Sequence, residues 1–164
     1  MGKGKVLRFF KYVFLLFLLI SIISYAQSNK LSIKVEGFLV RIIKENNKTK
    51  EILKPLPKEV FPNNIIEYHI IVENTSNENI KNVKIIGKIP KGTLYIENSA
   101  TDSPQFSIDG GKTFHRPPIK YTVIENGKKV EKIATSDMYT NLLWTVKQVQ
   151  PKEKIIFKYR VNVK

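Results

Sequence analysis

The residues best suited to chemistry lie in one short polar segment. In chain order they are Ser107, Asp109, Gly111, Thr113 and Phe114. Two hydroxyls and a carboxylate at this spacing could support hydrolysis or bind a cation. In tight turns, however, Asp and Ser side chains more commonly bond to backbone N–H groups. We therefore expect a hairpin in which Asp109 accepts backbone hydrogen bonds and a glycine has positive φ.

This segment, SIDGGKTF, resembles the Asp-box (S-x-D-x-G-x-T-W) of sialidases and related β-propellers, with Phe114 in place of tryptophan. Propellers carry several copies of the motif and take their catalytic residues from elsewhere. One copy in a chain of 164 residues cannot build a propeller. The resemblance therefore favours a structural hairpin, and a glycosidase is only a remote alternative.

The other candidate ligands are dispersed along the chain. We expect His69 on the outward face of a strand and His115 just after the hairpin, and two histidines without clustered carboxylates make a poor metal site. Asp102, Asp109 and Asp137 fall in turns, where a Ca²⁺ site stays open as an alternative. We expect no catalytic residue, no metal and no cofactor, and hence a protein that is not an enzyme.

Composition excludes several classes of protein. The absence of cysteine excludes a disulfide scaffold, a thiolate metal site and a Cys nucleophile. An apolar content of 42% is sufficient for a packed core. The 28 Lys and Arg against 14 Asp and Glu give a net charge of +14, which by itself suits a nucleic-acid ligand.

Residues 1–26 have the pattern of a secretory signal peptide. Four basic residues precede an apolar run, and the small residues Ser24 and Ala26 stand just before Gln27. The rival interpretation is an uncleaved anchor, but the apolar run is nearer half of the ~20 residues that a membrane span needs. We expect cleavage before Gln27, contact with the membrane only during export, and a location in the periplasm or at the cell surface. Export also argues against a nucleic-acid partner.

Alternation of apolar and polar residues with period two predicts short strands along the rest of the chain. The predicted ranges are 31–44, 49–54, 65–73, 80–89, 94–97, 119–124, 129–134, 142–149 and 154–164. In the last strand, Phe157 and Tyr159 are expected to face the core, while Lys158 and Arg160 face solvent. Trp144 is expected to anchor the core.

Turn residues separate these strands. Asn46-Asn47 and Asn126-Gly127 predict hairpins, and prolines between 55 and 62 mark an irregular connection. About seven to nine strands with such turns predict an all-β fold, an antiparallel immunoglobulin-like sandwich. We divide the chain after the signal peptide into N-terminal strands and a connector, 27–62, and the sandwich core, 63–164.

Segment 63–99 resembles a bacterial surface-repeat domain, the domain of unknown function number eleven. That family has a Y-x-I-x-V-x-N strand, a polar turn, a second strand, and then a Pro-x-Gly element followed by an aromatic residue. The matching residues are Tyr68, Asn74, Pro90, Gly92 and Tyr95. The acidic residue that usually precedes the Pro-x-Gly element is replaced by Gly87.

The closing segment resembles the last two strands of the same family, through Trp144 and Pro151. Lys152 stands where the family usually has glycine after that proline. Together the two segments cover most of the chain after the signal peptide. The resemblance implies a single immunoglobulin-like sandwich on an exported bacterial protein, and it transfers no catalytic residue.

These observations favour a non-enzymatic structural or interaction module of the bacterial cell envelope or surface. Such a domain would bind an envelope or surface protein through its loops or by strand addition at a sheet edge. The alternative is a basic surface that binds an anionic polysaccharide or another anionic envelope polymer.

We predict that the exported protein begins at Gln27, because the small residues at 24 and 26 fit the pocket of a signal peptidase. Mass spectrometry of the intact protein from outside the cytoplasm measures this directly. A mass that corresponds to a chain beginning at Met1 would contradict cleavage.

Overall fold

The computed structural model describes residues 30–45 and 48–164, so the predicted signal peptide and the Asn46-Asn47 turn lie outside the described residues. All regular secondary structure in the described part is strand, apart from one short 3₁₀ turn, Ser136–Met138. The strands are β1 (Leu31–Glu45), β2 (Lys48–Pro55), β3 (Ile65–Asn74), β4 (Ile80–Lys88), β5 (Thr93–Tyr95), β6 (Gln105–Ser107), β7 (Lys120–Glu125), β8 (Lys128–Ile133), β9 (Asn141–Val149) and β10 (Lys154–Val163).

Eight of these strands form two antiparallel sheets. The five-stranded sheet has the order β2-β1-β3-β10-β5, and the three-stranded sheet has the order β4-β9-β6. The prediction of an all-β antiparallel sandwich is confirmed. The described residues hold ten strands rather than seven to nine. The sequence prediction lacks β6, because three residues are too few to show an alternation.

Strands β7 and β8 pair only with each other, among the described residues, and form a separate two-stranded sheet. Their turn is the predicted hairpin at Asn126-Gly127, with φ of 50° and 76°. The strands carry charged side chains at many positions, and Ile124 and Ile133 are exposed. They therefore lack the continuous apolar face that would place them in the sandwich.

Trp144 is the centre of the core between the two sheets. It is 2% exposed, and its ring lies 5.2 Å from that of Phe157 and 6.2 Å from that of Tyr159. Strand β10 thus faces the core with the side chains that alternation predicts. The buried residues around Trp144 come from both sheets, and include Ile66, Ile70, Val72, Val83, Ile85, Leu142, Val149 and Val161.

Gly87 faces the core beneath Trp144. A Cβ at this position would lie 3.0 Å from the indole ring and 3.1 Å from Cδ1 of Ile70. These distances are shorter than ordinary carbon contacts, so a larger side chain would push the sheets apart. The structure thus gives a physical reason for glycine where the resembled family has an acidic residue.

The opposite face of the five-stranded sheet holds a charged network. Arg160 Nε donates to Glu67 at 2.7 Å, and its terminal nitrogens bind both carboxylate oxygens of Glu51 at 3.2 and 3.0 Å. His69 Nε2 lies 2.6 Å from the other oxygen of Glu67. Arg160 and His69 lie on the outward face, as alternation predicts, but each is half-buried there rather than open to solvent. Alternation reports the face of a strand but not what covers that face.

The pair Arg160 and Glu51 shows that this sheet is curled. The two residues lie on β10 and β2, three strand spacings or about 14 Å apart across a flat sheet. Glu51 also lies four residues along β2 from Pro55, the residue in register with Arg160, so a flat sheet would hold the two side chains out of reach. The side chains meet because the β1–β2 hairpin bends over the outer face. Strand β1 pairs with both β2 and β3, which places the N-terminal strands in the same sheet as the core strands.

Asn74 is fully buried at the end of β3 and joins two connections. Its amide nitrogen donates to the carbonyls of Glu78, Val149 and Gln150 at 2.7–3.1 Å. Its side-chain oxygen accepts from the N–H and hydroxyl of Ser76. A single side chain thus replaces the backbone pairing that these loops lack.

We predict that Asn74→Ala lowers the free energy of unfolding by about 2–4 kcal/mol, because several buried polar groups lose their partner at once. Urea denaturation followed by Trp144 fluorescence measures the change. Asn79→Ala, at an exposed position, is the matched control and should stay within about 0.5 kcal/mol. Equal effects of the two substitutions would contradict the role of Asn74.

Candidate functional site

The candidate site is an open groove of about 610 Å³, which we call the aromatic groove. This volume is within the range of ~300–1,000 Å³ that is usual for ligand sites. The single loop between β5 and β6 forms one side, and the segments before β7 and after β8 form the other. The lining residues are Tyr95, Glu97, Asn98, Ala100, Ser103, Pro104, Phe106, Pro117, Pro118, Ile133, Ala134 and Tyr139.

Three aromatic rings lie together in the groove. Phe106 stacks on Tyr139 with centroids 4.5 Å apart, and Tyr95 lies 4.9 Å from Phe106 and 6.1 Å from Tyr139. Tyr95 and Phe106 are each 6% exposed, whereas Tyr139 is only partly buried. The groove therefore has a rigid aromatic base, with Tyr139 the ring most accessible to a ligand.

The first side of the groove, residues 96–101, is fixed to β10 and to the core. Ile96 and Thr101 donate backbone N–H groups to the carbonyls of Arg160 and Lys158. The indole N–H of Trp144 donates to the carbonyl of Thr101 at 2.7 Å. Because these bonds hold the backbone, the loop is positioned before any ligand binds.

The Asp-box segment forms the predicted hairpin. Asp109 accepts the backbone N–H groups of Lys112 and Thr113 and the hydroxyl of Thr113 at 2.7 Å. Ser107 donates its hydroxyl to Asp109 at 2.6 Å and accepts the N–H of Gly111 at 2.8 Å. The φ of Gly111 is 90°, as expected. Phe114 is partly buried.

This hairpin supports the second side of the groove. It brings the chain back from Phe106 to His115, whose backbones exchange hydrogen bonds of 2.8 and 2.9 Å. The chain then passes directly to Pro117 and Pro118, which line the groove and are joined by a cis peptide bond. The Asp-box residues thus lie outside the groove and position residues that line it.

Thr140 is a supporting residue that sequence reasoning missed. Its N–H and its hydroxyl both donate to the carbonyl of Ser107, at 2.8 and 3.0 Å, and its hydroxyl accepts the N–H of Gly110. These bonds join the Asp-box hairpin to the residue next to Tyr139. The sequence pattern around Thr140 offers little indication of this supporting role, because a threonine just before a strand is not distinctive.

Charge is unevenly distributed around the groove. Glu97 supplies the one carboxylate among the lining residues, and none of those residues is basic. Burial, and next the charge of Glu97, raise the pKa of Tyr139.

Outside the groove, hydrogen bonds from Ser107 and Thr113 hold the pKa of Asp109 well below its ordinary value. At Glu67, burial alone would raise the pKa, but the hydrogen bonds from His69 and Arg160 outweigh it.

The residues that carry the family resemblance are dispersed, and only Tyr95 lines the groove. Tyr68 stacks on Tyr159 at 5.3 Å. Pro90 begins a turn in which its carbonyl accepts from Thr93, and Gly92 has a φ of 81°. Pro151 is exposed.

Lys152 has a φ of 61°, a conformation that favours the glycine usual at this position. Its N–H donates to the carbonyl of Asn74, and its ammonium group donates to the carbonyl of Thr75 at 2.7 Å. These two bonds hold the residue in this conformation.

Within residues 30–45 and 48–164, no group of three His, Asp or Glu side chains is placed to hold a metal ion, and Asp102, Asp109 and Asp137 do not meet. In the same part of the chain, no helix has the length and apolar character to cross a membrane.

Comparison with protein-family models, curated proteins and solved structures gives no match.

We predict that Asp109→Asn lowers the urea midpoint of unfolding at neutral pH and flattens its dependence on pH in acid. Because the pKa of Asp109 is lower in the folded than in the unfolded protein, its carboxylate stabilises the fold above about pH 4. That contribution is lost as the pH falls from about 4 towards the lower folded pKa.

The measurement is the urea midpoint of the native protein and the variant between about pH 7 and pH 2. Asp102→Asn, in an exposed turn, is the matched control and should leave the pH dependence unchanged. Parallel profiles for native protein and Asp109→Asn would contradict the prediction.

Proposed function

We propose that this protein is an exported, non-enzymatic interaction module of the bacterial cell envelope or surface, and that it holds its partner in the aromatic groove. The single observation that carries the proposal is the groove, whose sides are fixed by hydrogen bonds and whose base is made of packed aromatic rings. A preformed concave site loses little conformational entropy on binding, which favours affinity. The sequence pattern of a signal peptide and the resemblance to a bacterial surface-repeat domain support the proposed location.

Loops held by a rigid scaffold are a common place for recognition, because the sheets position them while their sequences vary freely. The main loop of this groove joins β5 and β6, which are edge strands of the two sheets. Here the side chains that support the groove satisfy their own polar groups within the fold. Asp109 binds backbone N–H groups, and Trp144 donates to Thr101. They therefore stabilise the site without occupying it.

The second candidate function is the binding of an anionic envelope polymer, and the outer face of the three-stranded sheet favours it. Lys84, Lys88 and Lys147 are exposed on β4 and β9 and make no ion pair with any described residue. A cluster of positive charge attracts polyanions by a long-range interaction that salt screens.

A photo-crosslinking amino acid placed at Ser103, in the groove, or at Lys84, on the lysine face, distinguishes the two candidates. We expect Ser103 to give a discrete adduct with an envelope component in intact cells, with a yield that changes little with salt. Adducts formed only from Lys84, and lost at high salt, would favour the polymer. Equal yields from both positions would contradict a specific site in the groove.

A further inference from the structure

We infer that the aromatic groove takes the basic side chain, Lys or Arg, of an extended segment of its partner protein, with Glu97 as the opposing charge. This inference rests on the proposed function of the groove. It concerns the chemical class of the ligand rather than whether a partner binds.

Charge provides the first argument. The chain has 28 basic and 14 acidic residues, so a surface chosen without regard to function would present more basic than acidic side chains. The groove instead presents one carboxylate and no basic side chain. Glu97 is exposed, and its carboxylate makes no ion pair among the described residues. Its charge is therefore available to a ligand.

The position of Glu97 provides the second argument. It follows Tyr95 by two residues on the side of the groove that β10 holds in place. Glu97, Tyr95 and Tyr139 all line the groove, and Tyr139 is the more exposed of the two rings. Burial is the main cause that raises the pKa of Tyr139, and the negative charge of Glu97 adds to it. A cation in the groove therefore meets a carboxylate and the ring of Tyr139, both of which attract positive charge.

The apolar lining provides the third argument. Lysine and arginine carry long methylene stems that pack on apolar surface while the charged end stays hydrated. Ala100, Pro104 and Pro118 offer such a surface beside the rings. Grooves lined by aromatic and proline side chains also suit an extended backbone, because a chain in polyproline conformation is already ordered. We therefore assign the occupant as an extended segment that carries a basic side chain.

The test uses two end-blocked, fluorescently labelled heptapeptides that alternate proline and alanine and differ only at the central residue. One peptide has arginine and the other has citrulline, which keeps the shape and loses the charge. We expect the purified protein to bind the arginine peptide about tenfold or more tightly, since a hydrogen bond to a charged group contributes about 1.5–3 kcal/mol. Fluorescence anisotropy measures both affinities.

Glu97→Gln keeps the size of the exposed side chain and removes its charge. We expect this variant to bind both peptides equally and as weakly as the native protein binds citrulline. The matched control is Glu59→Gln, which alters an exposed glutamate outside the groove and should keep the preference for arginine. Loss of the preference in both variants would show general attraction to negative charge and would overturn the inference.

The inference and the proposed function fail in different ways. Equal affinity of the native protein for the two peptides, or no binding of either, would overturn the assignment of a cationic ligand. The proposed function would survive that result if Ser103 still forms its adduct in cells. Absence of the Ser103 adduct would overturn the proposed function itself.

Discussion

The contact of Trp144 with both sheets and with one loop is the interaction on which the rest of the structure depends. Its ring fills the space between β9 and β10, and Gly87 leaves room for it on β4. The indole N–H of Trp144 donates a hydrogen bond to the carbonyl of Thr101, which belongs to one side of the aromatic groove. The side chain that packs the core is therefore also the one that places the binding surface.

A second constraint is that irregular segments must find partners for their backbone groups. Asn74 does this at one end of the sandwich, and Asp109 with Ser107 does it at the other. No buried side-chain nitrogen or oxygen in residues 30–45 and 48–164 lacks a hydrogen-bond partner. Because each of these buried polar atoms has a hydrogen-bond partner, the small sandwich keeps its long connections in one conformation without disulfide bonds.

The sequence predicts those features that short-range patterns encode. Alternation predicts β10 and the buried Trp144, and turn chemistry predicts the Asp109 hairpin. The groove is not predictable in this way, because Glu97 and Tyr139 come from separate connections that meet only after the sheets pack. The partial burial of Arg160 is likewise invisible, since it depends on the curl of β1 and β2 over a face that alternation marks as polar.

The separate β7–β8 sheet has a consequence for engineering. The N–H of Ala134 donates to the carbonyl of Ile119 at 2.8 Å, which closes the hairpin at its base, next to the groove. Its tip at Asn126-Gly127 is joined to neither large sheet, and exposed tips of this kind tolerate insertions. A fluorescent reporter spliced into the tip would therefore lie about six strand residues, or roughly 20 Å, from the groove and leave both the sandwich and the groove intact.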